Sequence, residues 1–123
     1  MSQTILVVDD SPTVVKFVSF SLKSGGYTVI TACDGMDALE KMSNSTEDVD
    51  LIITDLNMPN LDGYGLIEAV RQNHQHKGTP IIILTSEEAD EDKEKGIDVG
   101  ASSYLVKPFK SSLLLSEVTK HLK

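Results

Sequence analysis

Ile5-Leu6-Val7-Val8-Asp9-Asp10 opens the chain with four apolar residues that end abruptly in two carboxylates. An apolar run this short, rich in β-branched side chains, reads as a strand buried on both faces. Three later stretches repeat the pattern. Leu51-Ile52-Ile53-Thr54 runs into Asp55, Ile81-Ile82-Ile83-Leu84 into Thr85-Ser86, and Tyr104-Leu105-Val106 into Lys107-Pro108. The intervals between them are amphipathic and long enough for crossover helices, so the strands are expected to run parallel. Parallel neighbours bring their carboxyl ends to one edge of the sheet, where open α/β sheets bind ligands. Three carboxylates, a hydroxyl and an ammonium are therefore expected to meet there.

The remaining elements follow from caps and periodicity. Ser11-Pro12 reads as an N-cap followed by proline at the first helical position. Val14, Val15, Phe17, Val18 and Leu22 then form one helical face, and Gly25-Gly26 ends it. Tyr27 to Ala32 is expected to be a second strand. A helix is expected from Gly35 to Met42, followed by a polar loop from Ser43 to Asp50. Leu56 to Gly63, with Pro59 and Gly63, reads as a loop, and Tyr64 to Asn73 as a helix. Gly78-Thr79-Pro80 turns the chain into the next strand. Ala89 to Val99 and a segment from Ser111 to Leu122 complete the set as helices. Five strands alternating with five helices imply an α/β fold, a doubly wound parallel sheet with helices on both faces. No repeat, linker or low-complexity tract interrupts it.

Bulk composition narrows the function. The chain has 123 residues, enough for one domain and too few for two. Its 19 acidic against 11 basic residues give a net charge of −8, which opposes general binding to nucleic acid or anionic membrane. No apolar run approaches the roughly 20 residues that span a bilayer. The N-terminus lacks the basic and apolar regions of a signal peptide. Cys33 is the sole cysteine, so no internal disulfide can form. A cytoplasmic protein is expected.

The chemistry follows from the converging side chains. Three carboxylates in one pocket repel one another unless a cation neutralises them. A hard divalent ion with oxygen ligands suits them, and Mg²⁺ keeps several waters and leaves room for a phosphate oxygen. One carboxylate can then attack phosphorus to form an aspartyl phosphate. The metal, a lysine and a hydroxyl stabilise charge on the transferring oxygens. Asp9, Asp10, Asp55, Thr85 and Lys107 supply those parts.

Taken in order, Val7-Val8-Asp9-Asp10-Ser11, Asp55-Leu56-Asn57-Met58-Pro59, Asp62-Gly63, Thr85-Ser86, Gly100-Ala101 and Tyr104-Leu105-Val106-Lys107-Pro108-Phe109 resemble the receiver domain of bacterial two-component response regulators. The likeness is greatest to the free-standing CheY-like type and spans nearly the whole chain. The strand order it implies is 2-1-3-4-5, the flavodoxin-like arrangement for which this family is itself a standard example. It implies that Asp55 is the phosphoacceptor. Asp10 would ligate Mg²⁺ directly, Asp9 largely through water, and Asn57 through its backbone carbonyl. Lys107, before an expected cis Lys107-Pro108 bond, would pair with the phosphoryl oxygens. Thr85 would bond to the arriving group, and Tyr104 would change its exposure in step. Asn57 and Glu87 would tune loss of the phosphate by flanking the path of the attacking water.

The implied protein is a phosphorylation-activated switch. It would be no metabolic enzyme, although it would catalyse its own phosphotransfer and autodephosphorylation. The donor would be a phosphohistidine on a sensor histidine kinase. The output face would be the fourth helix, last strand and last helix, where Glu88, Asp90, Lys93, Ile97, Tyr104 and Lys110 would meet a protein partner. Gly96 and Gly100 suggest that the fourth helix is marginal and mobile, against the simpler reading that they only turn the chain. A monomer is expected. Residues 1–123 read as one receiver domain with no output domain; Met1 just before the first strand favours a complete small protein over an excised receiver.

Other readings fit less well. A haloacid-dehalogenase-type phosphatase needs a second Asp two residues after its nucleophile, where Asn57 stands. The acidic Asp9-Asp10-Ser11-Pro12 turn would repel the phosphate of FMN in a flavodoxin-like electron carrier. A P-loop nucleotidase needs a Gly-Lys-Ser/Thr element, which is absent. A degenerate receiver would have lost Asp10, Asp55 or Lys107. His74 and His76 lie in a polar stretch without a third zinc ligand. Cys33 reads as a small packing residue, and Glu87 to Lys95 as a solvated helix face with Glu91 and Lys95 at i,i+4.

Overall fold

The computed structural model describes residues 3–44, 48–85 and 90–122, with residues 90–93 described by backbone alone. Strands and helices alternate: β1 (Thr4–Val8), α1 (Pro12–Ser24), β2 (Thr28–Ala32), α2 (Gly35–Asn44), β3 (Leu51–Asp55), α3 (Gly63–Gln72), β4 (Ile81–Thr85), α4 (Asp90–Val99), β5 (Ser103–Val106) and α5 (Ser111–His121). All pairings are parallel and the order is β2-β1-β3-β4-β5. Fold class and strand order agree with the sequence reading.

The apolar strands divide their side chains between two cores, as period-two alternation requires. Leu6, Val8, Ile52, Ile81 and Ile83 pack with Ala38 of α2 and Leu66, Ile67 and Val70 of α3. Ile5, Val7, Leu51, Ile53, Ile82 and Leu84 pack on the other face with Val18 and Leu22 of α1 and Leu114 and Val118 of α5. Each continuous apolar run is thus explained by cover on both sides. Among the described residues, no helix is long and apolar enough to cross a membrane.

Local signals set the helix ends. Ser11 caps α1, its Oγ accepting the Val14 N–H at 3.4 Å, with Pro12 in the first turn. Asp62 caps α3 through the Gly65 N–H at 2.9 Å. Helix α2 continues two residues beyond the expected end at Met42. Its N-cap is Asp34, whose Oδ1 accepts the Asp37 N–H at 2.8 Å.

Two glycines set how closely helices approach the sheet. A Cβ on Gly96 would collide with the Ile83 side chain, so the glycine lets α4 lie down on β4. The close approach gives this glycine a packing role in addition to its helix-weakening one. Gly100 has φ +124° and closes α4, as the turn reading requires. At the start of α3, a Cβ on Gly63 would collide with the Asp55 carbonyl oxygen and approach Leu56 Cα to 2.8 Å. Backbone cannot step aside as a flexible side chain can. Gly63→Ala is expected to lower stability by about 1–3 kcal/mol, read as a lower urea midpoint. A midpoint equal to wild type would show that the helix start moves freely.

Candidate functional site

The register sets the polar residues side by side. Val8 is level with Ala32 and Thr54, Asp55 with Leu84, and Thr85 with Val106. Asp9-Asp10 follow β1 directly, Asp55 ends β3, Thr85 ends β4, and Lys107 follows β5. One oxygen from each of Asp9, Asp10 and Asp55 falls in a group whose members all lie within 4.8 Å of one another. The Lys107 ammonium reaches into the group, 3.1 Å from Asp9 Oδ2 and 3.7 Å from Asp55 Oδ1.

Backbone groups hold these side chains. Asp9 is only 1% exposed, and its Oδ1 accepts the Ser11 N–H at 2.9 Å. Asp55 is half-buried, and its Oδ1 accepts the Leu56 N–H at 2.8 Å. Asp10 is exposed at the mouth. The Lys107 N–H donates to the Thr85 carbonyl at 2.6 Å, joining the ends of β4 and β5. The Lys107-Pro108 bond is cis, as expected.

One ammonium faces three carboxylates, and the imbalance falls on Asp55. Burial first, and then the Asp9 charge, push its carboxyl above the ordinary range, with a smaller push from Asp10. Lys107 and the Leu56 N–H act in the opposite sense. A compact set of hard oxygen donors with surplus negative charge fits a divalent cation of the Mg²⁺ type.

The remaining residues singled out in the sequence fall as follows. Thr85 is buried at the end of β4, and Asn57 is exposed in the 56–62 loop. Tyr104 is 39% exposed on the edge strand β5. Glu87 lies outside the described residues, as do Ser86 and Glu88. Two readings need correction. His76 is buried, its Nδ1 lying 3.4 Å from Thr79 Oγ1; only His74 of the pair is exposed. Cys33 is exposed and fills no core position, since it sits in the turn after β2. Desolvation and the neighbouring Asp34 carboxylate raise its thiol pKa, which disfavours a thiolate.

Three structural residues escaped the sequence reading. The Arg71 guanidinium donates to the carbonyls of Gly100 at 2.9 Å and Thr79 at 2.7 Å, linking α3 to both flanking turns. Asn60 donates from Nδ2 to Asp34 Oδ2 at 2.7 Å, joining the loops after β3 and β2. Asp34 before Gly35 was a legible helix-cap signal; Arg71 and Asn60 carried no local mark.

The raised Asp55 pKa has a consequence for stability. Between the ordinary carboxylate pKa and the raised folded value, the folded protein holds a proton that the unfolded chain has released. Metal-free stability should therefore fall as pH rises through that window. Asp55→Asn removes this contribution. Urea midpoints measured from pH 4 to 7 without metal should show the variant gaining on wild type as pH rises. Parallel curves would mean that Asp55 is not strained by its neighbours.

Comparison with known proteins agrees with this architecture. The family model described as the response regulator receiver domain matches residues 5–119. The chain is 40% identical over 118 residues to protein PilG of Pseudomonas aeruginosa, covering 96% of this chain and 86% of that protein. Other curated relatives, transcriptional regulators among them, are longer, and the chain spans 40% to 52% of their length. The structure of chemotaxis protein CheY4 of Vibrio cholerae superposes with a TM-score of 0.92 at 42% identity, covering 99% of this chain and 100% of that one. The receiver domain of sensor histidine kinase PA1611 from Pseudomonas aeruginosa, whose structure has a magnesium ion coordinated in the active-site cleft, gives 0.89 at 31% identity, with 98% of each chain covered. With a family match over nearly its whole length and the same sheet, the chain belongs to the response regulator receiver domain family of two-component signalling and has the CheY-like fold.

Proposed function

We propose that this receiver domain is a switch thrown by phosphorylation of Asp55. The observation that carries the reading is the cluster of Asp9, Asp10 and Asp55 carboxylates with the Lys107 ammonium 3.7 Å from Asp55. An Asp55 carboxylate oxygen attacks the phosphorus of a phosphohistidine on a sensor histidine kinase. The new O–P bond forms as the N–P bond breaks, and the imidazole leaves. Asp10, Asp55 and the Asn57 backbone carbonyl would hold Mg²⁺, with Asp9 acting largely through water. The metal supplies positive charge to the transferring oxygens and offsets carboxylate repulsion. Lys107 neutralises a further phosphoryl oxygen.

Thr85 hydrogen-bonds the group once it arrives and carries the change towards α4 and Tyr104. The output face is formed by α4, β5 and α5. Ile97 and Tyr104, 43% and 39% exposed, offer apolar surface there to a protein partner, and exposed Lys110 stands at the N-cap of α5. Hydrolysis resets the switch, at a rate that Asn57 and Glu87 would tune. The domain acts as a monomer in the cytoplasm, either alone or within a longer regulator.

Incubation with a small phosphodonor and Mg²⁺ should add one phosphoryl group to the intact mass of the wild type and none to Asp55→Asn. Asparagine keeps the shape but lacks the nucleophilic carboxylate. Equal incorporation in the two proteins would mean that another acid is the acceptor.

Lys107→Ala should still accept phosphate, more slowly, without passing the signal on. Amide shifts near Thr85 and Tyr104 would be followed on adding a phosphoryl mimic. Wild-type-like shifts in the variant would remove Lys107 from the coupling.

A further inference from the structure

The loop 56–62 carries Asn57, yet only part of it is held by its own ends. The Gly63 N–H donates to the Leu56 carbonyl at 2.9 Å, and the Leu61 N–H to the Pro59 carbonyl at 2.8 Å. The rest of its shape comes from a different loop. The Gly35 N–H donates to the Leu61 carbonyl at 3.0 Å, and Asn60 Nδ2 to Asp34 Oδ2 at 2.7 Å. The approach is close enough that a Cβ on Gly35 would lie 2.8 Å from Leu61 Cβ.

Both partners in the side-chain bond are prepared for it. Asp34 is buried, and its Oδ1 is already engaged by the Asp37 N–H, which leaves Oδ2 aimed across at the neighbouring loop. The Asp37 N–H first, and Asn60 second, hold its carboxyl below the usual range. Asn60 has φ +68°, a left-handed conformation that asparagine tolerates better than most residues. Helix capping needs only one oxygen of Asp34; the bond to a residue 26 positions away serves the loop.

We propose that Asp34 and Asn60 are a positioning pair that holds the 56–62 loop, and with it the Asn57 backbone, in the shape required for Mg²⁺ at the Asp9, Asp10 and Asp55 site. The inference rests on the functional reading above and extends the metal site beyond the residues that would touch the ion. Outer partners of metal ligands act by fixing orientation before binding, so their loss weakens affinity without removing a ligand. The pair also links the N-terminus of α2 to metal occupancy.

The test uses the full chain and Mg²⁺ alone, titrated by amide chemical shifts at a temperature where circular dichroism shows every variant folded. Asn60→Gly keeps the positive φ accessible and removes the donor. It should weaken Mg²⁺ binding about tenfold. In the metal-free protein, the Gly35 amide should exchange faster. Phosphate uptake from a small phosphodonor should slow at low Mg²⁺ and approach the wild-type rate at saturation, a split that simple loss of stability does not produce. Asn60→Asp, which sets two carboxylates together, should be weaker still. The double variant Asp34→Asn/Asn60→Asp reverses donor and acceptor and should restore affinity. Wild-type affinity in Asn60→Gly would overturn the proposal. So would a folded double variant with Gly35 protection restored and affinity still low. If the wild type takes up no phosphate, the functional reading fails, while the Mg²⁺ titration still decides the role of this pair.

Discussion

The Asp9 carboxylate is buried and meets the ammonium of a residue 98 positions away. A buried carboxylate left without a partner costs several kcal/mol, whereas a paired one with its other oxygen satisfied is tolerated. Lys107 and the Ser11 N–H supply both conditions. This pairing requires the ends of β1 and β5 to face the same edge, although β3 and β4 lie between them. An antiparallel arrangement would send one of the two residues to the opposite end of the sheet. The ion pair is thus consistent with β1 and β5 running in the same direction.

The same crowding creates an opening for chemistry. Lys107 serves two carboxylates at unequal distances, 3.1 Å and 3.7 Å, and the more distant is Asp55. Asp55 is therefore the less completely neutralised of the two, with its pKa raised by burial and by Asp9. A cation or a proton relieves it. The site holds its carboxylates together against their repulsion, and packing elsewhere offsets that cost: two apolar cores fix the strands, and Gly63 lets the start of α3 pass close to the Asp55 backbone.

At the opposite edge the fold is tied down. Arg71, whose guanidinium pKa is lowered by burial, is bonded to carbonyls from the turn before β4 and to Gly100 at the end of α4. Gly96 presses the middle of the same helix onto Ile83, and Lys95 lies 4.3 Å over the ring of Tyr64 in α3. Together with the Arg71 bond to Gly100, these contacts hold α4 by its central and C-terminal turns.

The local patterns determined much by themselves. Short apolar runs, each followed by Asp, Thr or Lys, identified β1, β3, β4 and β5 together with the residues at their ends, because burial and a polar stop are carried by adjacent positions. Ser11-Pro12 marked the start of α1 for the same reason. The order 2-1-3-4-5 came through resemblance, since helical crossovers of similar length are compatible with more than one order. Tertiary structure alone decided the rest. Whether His76 is covered and Cys33 bare depends on how turns fold over their neighbours. The Asp34–Asn60 bond and the Arg71–Gly100 bond join residues 26 and 29 positions apart, in segments whose own sequences contain no sign of the partner. Gly96 looks like a weak point in an isolated helix and acquires its packing role only where α4 lies on Ile83. Periodicity tells a residue which face it occupies; only the packed sheet determines which loops lie close enough to bond.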